Sequence, residues 1–87
     1  MKNPLRQFEG CKTDFLMFSK DICSYCVAAK NLLNARGLTY TEINLERDHQ
    51  LRADLVDLTG HRTVPIIFDV RNKTAFVGGY DELTTYL

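Results

Sequence analysis

Apolar residues recur along this chain with two different periods, and each period predicts its own kind of secondary structure. Short runs rich in apolar, β-branched and aromatic residues predict four strands, at residues 13–18, 38–45, 64–68 and 74–77. Apolar positions three or four apart predict helices at residues 24–36 and 48–59, and the last stretch, 80–87, has room for a short third helix. The predicted order of elements is therefore β-α-β-α-β-β-α.

The connections between these elements predict how the strands pair. Gly37 and Gly60 directly follow the first two helices, where a glycine commonly ends a helix. The first two strands are joined through a helix, so they should run parallel, because a crossover helix returns the chain in the same direction. Residues 69–73 are polar and turn-like, which predicts an antiparallel hairpin after them. The fold class is α/β, with a four-stranded mixed sheet flanked by helices.

Length and composition indicate one small globular domain over residues 1–87, in which residues 1–12 form an arm or a short helical turn. Hydrophobic residues make up 45% and charged residues 25%, which are ordinary values for a soluble domain. The formal net charge is zero and no basic run occurs, so nucleic acid is not an expected partner. The longest apolar runs are too short to cross a membrane, and the first residues lack a signal-peptide core. We expect a cytoplasmic monomer.

Cys23 and Cys26 form a Cys-x-x-Cys pair, which is compatible with a metal site, a structural disulfide or redox chemistry. A zinc site needs a second pair of ligands at short spacing, and His49 and His61 lie too far apart to form one. A structural disulfide between positions so close together would remove little chain entropy. Redox chemistry is the favoured interpretation. The third cysteine, Cys11, is interpreted as a partly buried small apolar residue.

The predicted position of Cys23, between the first strand and the first helix, suits a reactive thiol. Free amide groups and the helix dipole stabilise an anion at a helix N-terminus, so a thiolate there is favoured over a thiol. Lys20 could add a positive charge near the same sulfur, although Asp21 opposes it. Cys26 lies one turn further along and should sit deeper. Cys23 is therefore the expected nucleophile, and Cys26 the thiol that resolves a mixed disulfide.

Three separated motifs resemble those of glutaredoxins, a family with the thioredoxin-like fold. They are Lys20-Asp21-Ile22-Cys23-Ser24-Tyr25-Cys26, Thr63-Val64-Pro65 and Gly78-Gly79-Tyr80-Asp81, in that order, and the resemblance spans residues 13–87. It implies a glutathione-dependent thiol–disulfide oxidoreductase that reduces protein disulfides and glutathione mixed disulfides. The brevity of the chain after its glycine pair is similar to virus-encoded glutaredoxins that reduce ribonucleotide reductase, which makes that enzyme a candidate partner.

The resemblance also implies a glutathione site. Its residues would be Lys20, Tyr25, Arg62, Thr63, Val64, Pro65, Gly79, Tyr80 and Asp81. Pro65 would be a cis-proline that turns the Val64 backbone outward to pair with the cysteinyl part of glutathione. Tyr80 and Asp81 would open the last helix near the γ-glutamyl carboxylate. The glycine carboxylate would lie near the side chains of Lys20, Tyr25 and Arg62.

One departure from the commonest glutaredoxin motif raises an alternative function. Ser24 stands where most of these proteins have proline. With this serine the chain resembles dithiol glutaredoxins that hold a [2Fe–2S] cluster between two subunits, ligated by Cys23 of each chain and by two glutathiones. A second alternative is a redoxin reduced by thioredoxin reductase, with the same fold and no glutathione site. No other metal is expected.

Overall fold

The computed structural model describes residues 3–87 and contains the predicted four-stranded mixed sheet. Its strands are β1 (Phe15–Ser19), β2 (Tyr40–Asn44), β3 (Ile66–Asp69) and β4 (Ala75–Gly78). Its α-helices are α1 (Ser24–Ala35), α2 (His49–Thr59) and α3 (Tyr80–Tyr86). The strand order is β2-β1-β3-β4, in which β1 pairs parallel with β2 and antiparallel with β3. The predicted order of elements and the terminal hairpin are thereby confirmed.

Both ends of α2 are set by residues whose helix-ending chemistry is visible in the sequence. The Asp48 side chain caps the N-terminus by accepting a hydrogen bond from the amide of Leu51 at 3.0 Å. Gly60 ends the helix with φ of 74°, a left-handed conformation that glycine adopts without steric cost. Local chemistry alone therefore fixes both ends of this helix.

The predicted bounds of the third strand were wrong at its start. Val64 and Pro65 precede β3, which begins at Ile66 and extends to Asp69. The Val64–Pro65 peptide bond is cis, and proline has no amide hydrogen to donate to a neighbouring strand. The other strands are slightly shifted or shorter than predicted, because β1 ends at Ser19 and β2 spans Tyr40–Asn44.

The core lies on both faces of the sheet, and β1 divides it. Leu16 and Phe18 pack with residues of α2, β3 and the loop before α2 on one face, whereas Phe15 and Met17 pack with α1 and α3 on the other. This division follows from the alternation of side chains along a strand. All five residues of β1 are buried. The strand that leads to the cysteine pair is thus held on both faces.

The N-terminal segment packs against the face of the sheet on which α2 lies. A 3₁₀ helix spans Pro4–Phe8, and the Asn3 side chain caps it by accepting from the amide of Leu5. Leu5 and Phe8 pack against the core on that face. Residues 1–12 were expected to form an arm or a short helical turn, and the structure shows a packed helical turn. The first two of these residues lie outside the described range. Over residues 3–87, none of the helices is both long enough and apolar enough to span a membrane.

Candidate redox site

Cys23 and Cys26 lie at the start of α1, joined by a disulfide bond with their Cα atoms 5.2 Å apart. Cys23 is the N-cap residue, with extended backbone, and its Sγ accepts a hydrogen bond from the Cys26 amide at 3.1 Å. The sulfur therefore occupies the place of an N-capping side-chain oxygen, in the field of the helix N-terminus. The same hydrogen bond would favour a Cys23 thiolate after reduction.

The two sulfurs differ in their access to solvent. Cys23 is half-buried, whereas Cys26 is only 2% exposed. An incoming disulfide can therefore reach Cys23, while Cys26 lies beneath the surface in the first turn of α1. The order in which Cys23 attacks first and Cys26 resolves stays a prediction, and the exposure of the two residues suits it.

The backbone of Val64 lies beside Cys23 with its polar groups free. The Cys23 Sγ is 3.8 Å from the Val64 carbonyl oxygen, directly before the cis peptide bond to Pro65. Within residues 3–87, neither this carbonyl nor the Val64 amide forms a hydrogen bond to a donor or acceptor of the chain besides that sulfur contact. A backbone N–H and C=O left unpaired in this way can bind an extended peptide as a neighbouring strand would.

A cavity of about 280 Å³ on one side of Val64 brings together most of the predicted glutathione site. Its predicted lining residues are Tyr25, Thr63, Val64, Pro65, Gly79, Tyr80 and Asp81. The rings of Tyr25 and Tyr80 face each other with centroids 6.0 Å apart, so α1 and α3 both contribute a wall. Residues from three separate motifs thus meet at one place.

Glu82 explains why two glycines precede α3. The Gly79 amide donates to Glu82 Oε1 at 2.7 Å, so this carboxylate caps the helix in place of an N-cap side chain. A Cβ on Gly78 would lie 2.7 Å from Glu82 Cγ, and Gly78 has φ of 126°. Only glycine fits that conformation and that contact. Glu82 also lines the cavity, and the motifs did not identify it.

His61 is a second lining residue that the sequence did not reveal. Its Nε2 is 3.3 Å from Thr63 Oγ1, and its ring packs edge-on against Phe76, with centroids 5.9 Å apart. A Cβ on Gly79 would come within 3.2 Å of the same nitrogen. His61 lies in the loop between α2 and β3, where no sequence periodicity marks it, so only its three-dimensional position reveals its place in the site.

A second cavity, of about 410 Å³, lies on the other side of Val64, and its lining includes the basic residues Lys20 and Arg52 and the acidic residues Asp21 and Glu46. Arg52 belongs to α2 and was not predicted. Arg52 Nη2 also donates to the backbone carbonyl of Arg62 at 3.2 Å. Arg62 itself is exposed and lines neither cavity. The arginine that faces this space is therefore the one from α2.

Asp21, the acidic neighbour of Lys20, forms hydrogen bonds with other residues. Asp21 lines the same cavity, but its Oδ1 accepts a hydrogen bond from Asn44 Nδ2 at 2.9 Å, and its amide donates to Glu46 Oε1. The Asp21 carboxylate is thereby held against β2 and the loop that follows.

Cys11 lies outside this site. The thiol is half-buried and lies 3.2 Å from the hydroxyls of both Thr13 and Thr41. Burial raises the pKa of the Cys11 thiol, but hydrogen bonds from the two threonines outweigh that effect, so its pKa lies below the ordinary value. Its surroundings are more polar than the sequence-based interpretation of a small apolar residue suggested.

The residues of one chain do not by themselves fit an iron–sulfur cluster. A [2Fe–2S] centre needs four thiolate ligands or their equivalents. Within residues 3–87, no group of three or more histidines, cysteines or acidic residues is placed to hold a metal ion. Among the described residues, Cys11 lies outside the Cys23–Cys26 site, so a cluster at that site would need ligands from outside the chain.

The fold and the site together define a dithiol redox protein with a thioredoxin-like fold. The glutaredoxin family model matches residues 15–73, which is more than half of the chain, and the chain therefore belongs to the glutaredoxin family. A Solanum lycopersicum glutaredoxin is 37% identical over 71 residues, which cover 78% of this chain and 63% of the relative. The chain thus spans less than two thirds of the length of that relative.

Solved structures give the same fold. A dithiolic glutaredoxin from Trypanosoma brucei brucei superposes with a TM-score of 0.77 at 32% identity, covering 98% of this chain and 86% of that one. The buckwheat glutaredoxin–glutathione complex gives a TM-score of 0.75 at 32% identity, covering 84% and 66%. The thioredoxin-like fold predicted from the motifs is therefore confirmed, as is the family.

Proposed function

We propose that this protein is a glutathione-dependent oxidoreductase that reduces glutathione mixed disulfides and protein disulfides. The observation that carries the proposal is the free backbone N–H and C=O of Val64 next to Cys23 Sγ. These groups suit the cysteinyl residue of glutathione, because a peptide that pairs with them as a strand places its own sulfur near Cys23. The buckwheat relative, which was solved with glutathione, supports the same ligand.

The two cavities beside Val64 suit the two ends of glutathione. Lys20 and Arg52 would bind the glycine carboxylate through charge-assisted hydrogen bonds. The γ-glutamyl group would extend past Thr63 toward Tyr80 and Asp81, with its ammonium near the Asp81 carboxylate. Tyr25 forms part of that cavity, so we assign it to the γ-glutamyl side rather than to the glycine side where the resemblance placed it.

The reaction with a glutathionylated protein then needs only Cys23. Its thiolate attacks the glutathione sulfur, the Cys23–glutathione disulfide forms, and the protein thiolate leaves and takes a proton from water. A free glutathione thiolate next attacks the bound glutathione sulfur, which yields oxidised glutathione and restores the Cys23 thiolate. One free glutathione is consumed in each cycle: it forms oxidised glutathione with the glutathione taken from the substrate, and the protein sulfur is reduced to a thiol.

Protein disulfides require the second thiol. Cys23 attacks one sulfur of the target and releases the other as a thiolate. Cys26 then attacks Cys23 Sγ, which releases the reduced target and leaves the Cys23–Cys26 disulfide, the state present in the structure. Two glutathiones reduce that disulfide. Ribonucleotide reductase is a proposed target of this branch, and the cytoplasm the proposed compartment.

The test is glutathione-dependent reduction of a glutathionylated peptide, coupled to glutathione reductase and NADPH, by the wild type, Cys26→Ser and Cys23→Ser. We expect turnover by the first two and none by the third. Turnover by Cys23→Ser, or equal electron supply from thioredoxin reductase without glutathione, would contradict the proposal. The second result would favour the redoxin alternative.

The cluster-bridged dimer stays a prediction from Ser24, with Cys23 of two chains and two glutathiones as the ligands. Its test is separate from turnover. Anaerobic expression with iron and glutathione would give a brown dimer by size-exclusion chromatography, and a colourless monomer would contradict it.

A further inference from the structure

The surface around Cys23 is unusually apolar for an exposed segment. Among residues 3–87, six large hydrophobic side chains are exposed, and three of them, Ile22, Tyr25 and Val27, lie within residues 22–27. Ile22 is 88% exposed, more than any other of the six. Single exposed apolar residues are ordinary, but a group of them around one reactive atom marks a contact surface.

This segment also lacks charge. Residues 22–29 contain no acidic or basic side chain. Ile22 precedes α1, which starts at Ser24, so its side chain is not needed to complete an apolar helix face. Tyr25 already lines the proposed γ-glutamyl cavity and has Tyr80 as a neighbour. Ile22 borders the cavity that Lys20 and Arg52 line, but at 88% exposure most of this large apolar side chain next to Cys23 faces solvent.

We infer that Ile22 selects protein substrates, favouring glutathionylated cysteines that are flanked by apolar residues. This rests on the proposed function, because the substrate sulfur must reach Cys23. The substrate's own thiol leaves as Cys23 attacks the glutathione sulfur, so the residues beside that thiol pass across Ile22. An apolar neighbour there would bury part of the Ile22 side chain, whereas a polar neighbour would lose water contacts without compensation.

The test compares two glutathionylated peptides that differ only in the residues on each side of the cysteine, leucine in one and serine in the other. Both peptides are neutral and carry the same glutathione, so any effect on the glutathione site cancels in the ratio of their kcat/KM values. We expect the wild type to favour the leucine peptide about fivefold, from partial burial of one aliphatic side chain. Ile22→Ser should bring the ratio close to one.

Leu58→Ser is the matched control, because Leu58 is also exposed, at 45%, but lies on α2 and lines neither of the two cavities beside Val64. It should keep the wild-type ratio. Equal kcat/KM for the two peptides in the wild type, or an unchanged ratio in Ile22→Ser, would overturn the inference and leave the proposed function intact. Absence of turnover of both peptides would overturn the proposed function and the inference together.

Discussion

The central strands β1 and β3 have polar groups at both ends of the pair, but the hydrogen bonding of these groups differs between the two ends. At one end, where β1 leads to Cys23 and the cis Val64–Pro65 bond leads into β3, the backbone groups of Val64 have no partner within residues 3–87 besides the Cys23 contact. At the other end, Asp69 is buried, and its carboxylate accepts hydrogen bonds from Arg71 and Tyr86. The first end is open to a ligand, and the second is closed by the chain itself.

The closed end is a compact network around one carboxylate. Asp69 accepts hydrogen bonds from the amide, Nε and Nη2 of Arg71, and from the Tyr86 hydroxyl at 2.6 Å. The Arg71 guanidinium lies 5.0 Å from the centre of the Phe15 ring. Hydrogen bonds from Arg71 hold the pKa of the Asp69 carboxyl far below its ordinary value, against the effect of burial. The network ties the β3–β4 turn to the end of α3.

This difference shows how the fold divides its work. Buried polar groups with every partner in place add stability, whereas unpaired groups cost stability unless a ligand satisfies them. A protein that binds a peptide by its backbone must leave such groups open at one place and be secured at another. Substitutions at the two ends should therefore separate activity from stability.

The largest effect is expected from Cys23→Ser at the open end. A hydroxyl is a poor nucleophile at neutral pH, so turnover of a glutathionylated peptide should fall by on the order of 1,000-fold or more. The urea midpoint of this variant should match that of the reduced wild type. A large loss of stability would mean that Cys23 belongs to the structural part of the molecule.

Asp69→Asn is the corresponding change at the closed end. It removes the ion pair with Arg71 and weakens the bond from Tyr86, so the free energy of unfolding should fall by about 2 kcal/mol. The kcat for a glutathionylated peptide should stay near the wild-type value. Asp57→Asn, at an exposed position on α2, is the control and should change stability little. A loss of kcat with unchanged stability would reverse the assignment of the two ends.

Gly78→Ala tests the close packing of the β4–α3 connection against Glu82, a residue that lines the cavity at the open end. The added Cβ would contact Glu82 and would hold alanine at positive φ, so stability should fall by about 1–3 kcal/mol. Gly37→Ala is the control, because Gly37 also has positive φ, of 69°, but has open space around it. Equal losses in the two variants would show that the Glu82 contact does not matter.

The stability that Asp69 contributes should depend on pH with a definite sign. Because its folded pKa is depressed, the contribution is complete above the unfolded pKa, about 4, and is lost as pH falls toward the folded pKa. The difference in unfolding free energy between the wild type and Asp69→Asn should therefore be about 1 kcal/mol smaller at pH 3 than at pH 7. Urea titrations at both pH values measure it, and a difference that grows at pH 3 would contradict the sign.

The smallest effect is expected from Lys20→Met at the rim of the open end. Loss of one exposed charge near the proposed glycine carboxylate should raise KM for glutathione about two- to fivefold, and less at high salt. Lys12→Met, at another exposed lysine, should leave KM unchanged. Equal effects of the two substitutions would point to net charge rather than to a specific contact.

Local chemistry in the sequence was enough to predict the order of helices and strands. The prediction was least accurate at the open end, where β3 begins. Asp48 and Gly60 mark α2 by their own conformations, and the dense apolar run of β1 marks a buried strand. Residue 64 was predicted to start a strand, because a cis bond changes the path of the chain without changing its composition. A pattern of apolar residues cannot show that a valine backbone is left without partners.

The site residues that were missed share one cause. Arg52, His61 and Glu82 come from α2, a loop and α3, and each looks like an ordinary polar surface residue in its own segment. They become site residues only when the sheet brings those segments to the two sides of Val64. The Cys-x-x-Cys pair was found because its spacing within one helix turn is itself the signal.

The most direct test of the open end is a map of amide chemical shifts in ¹⁵N-labelled Cys26→Ser protein before and after it forms the Cys23–glutathione mixed disulfide. We predict large changes at the amides of Val64, Tyr80 and Asp81, and small changes at Asp69 and Arg71. Unchanged Val64, or shifts centred on the Asp69 end, would contradict the claim that the free Val64 backbone is where glutathione binds.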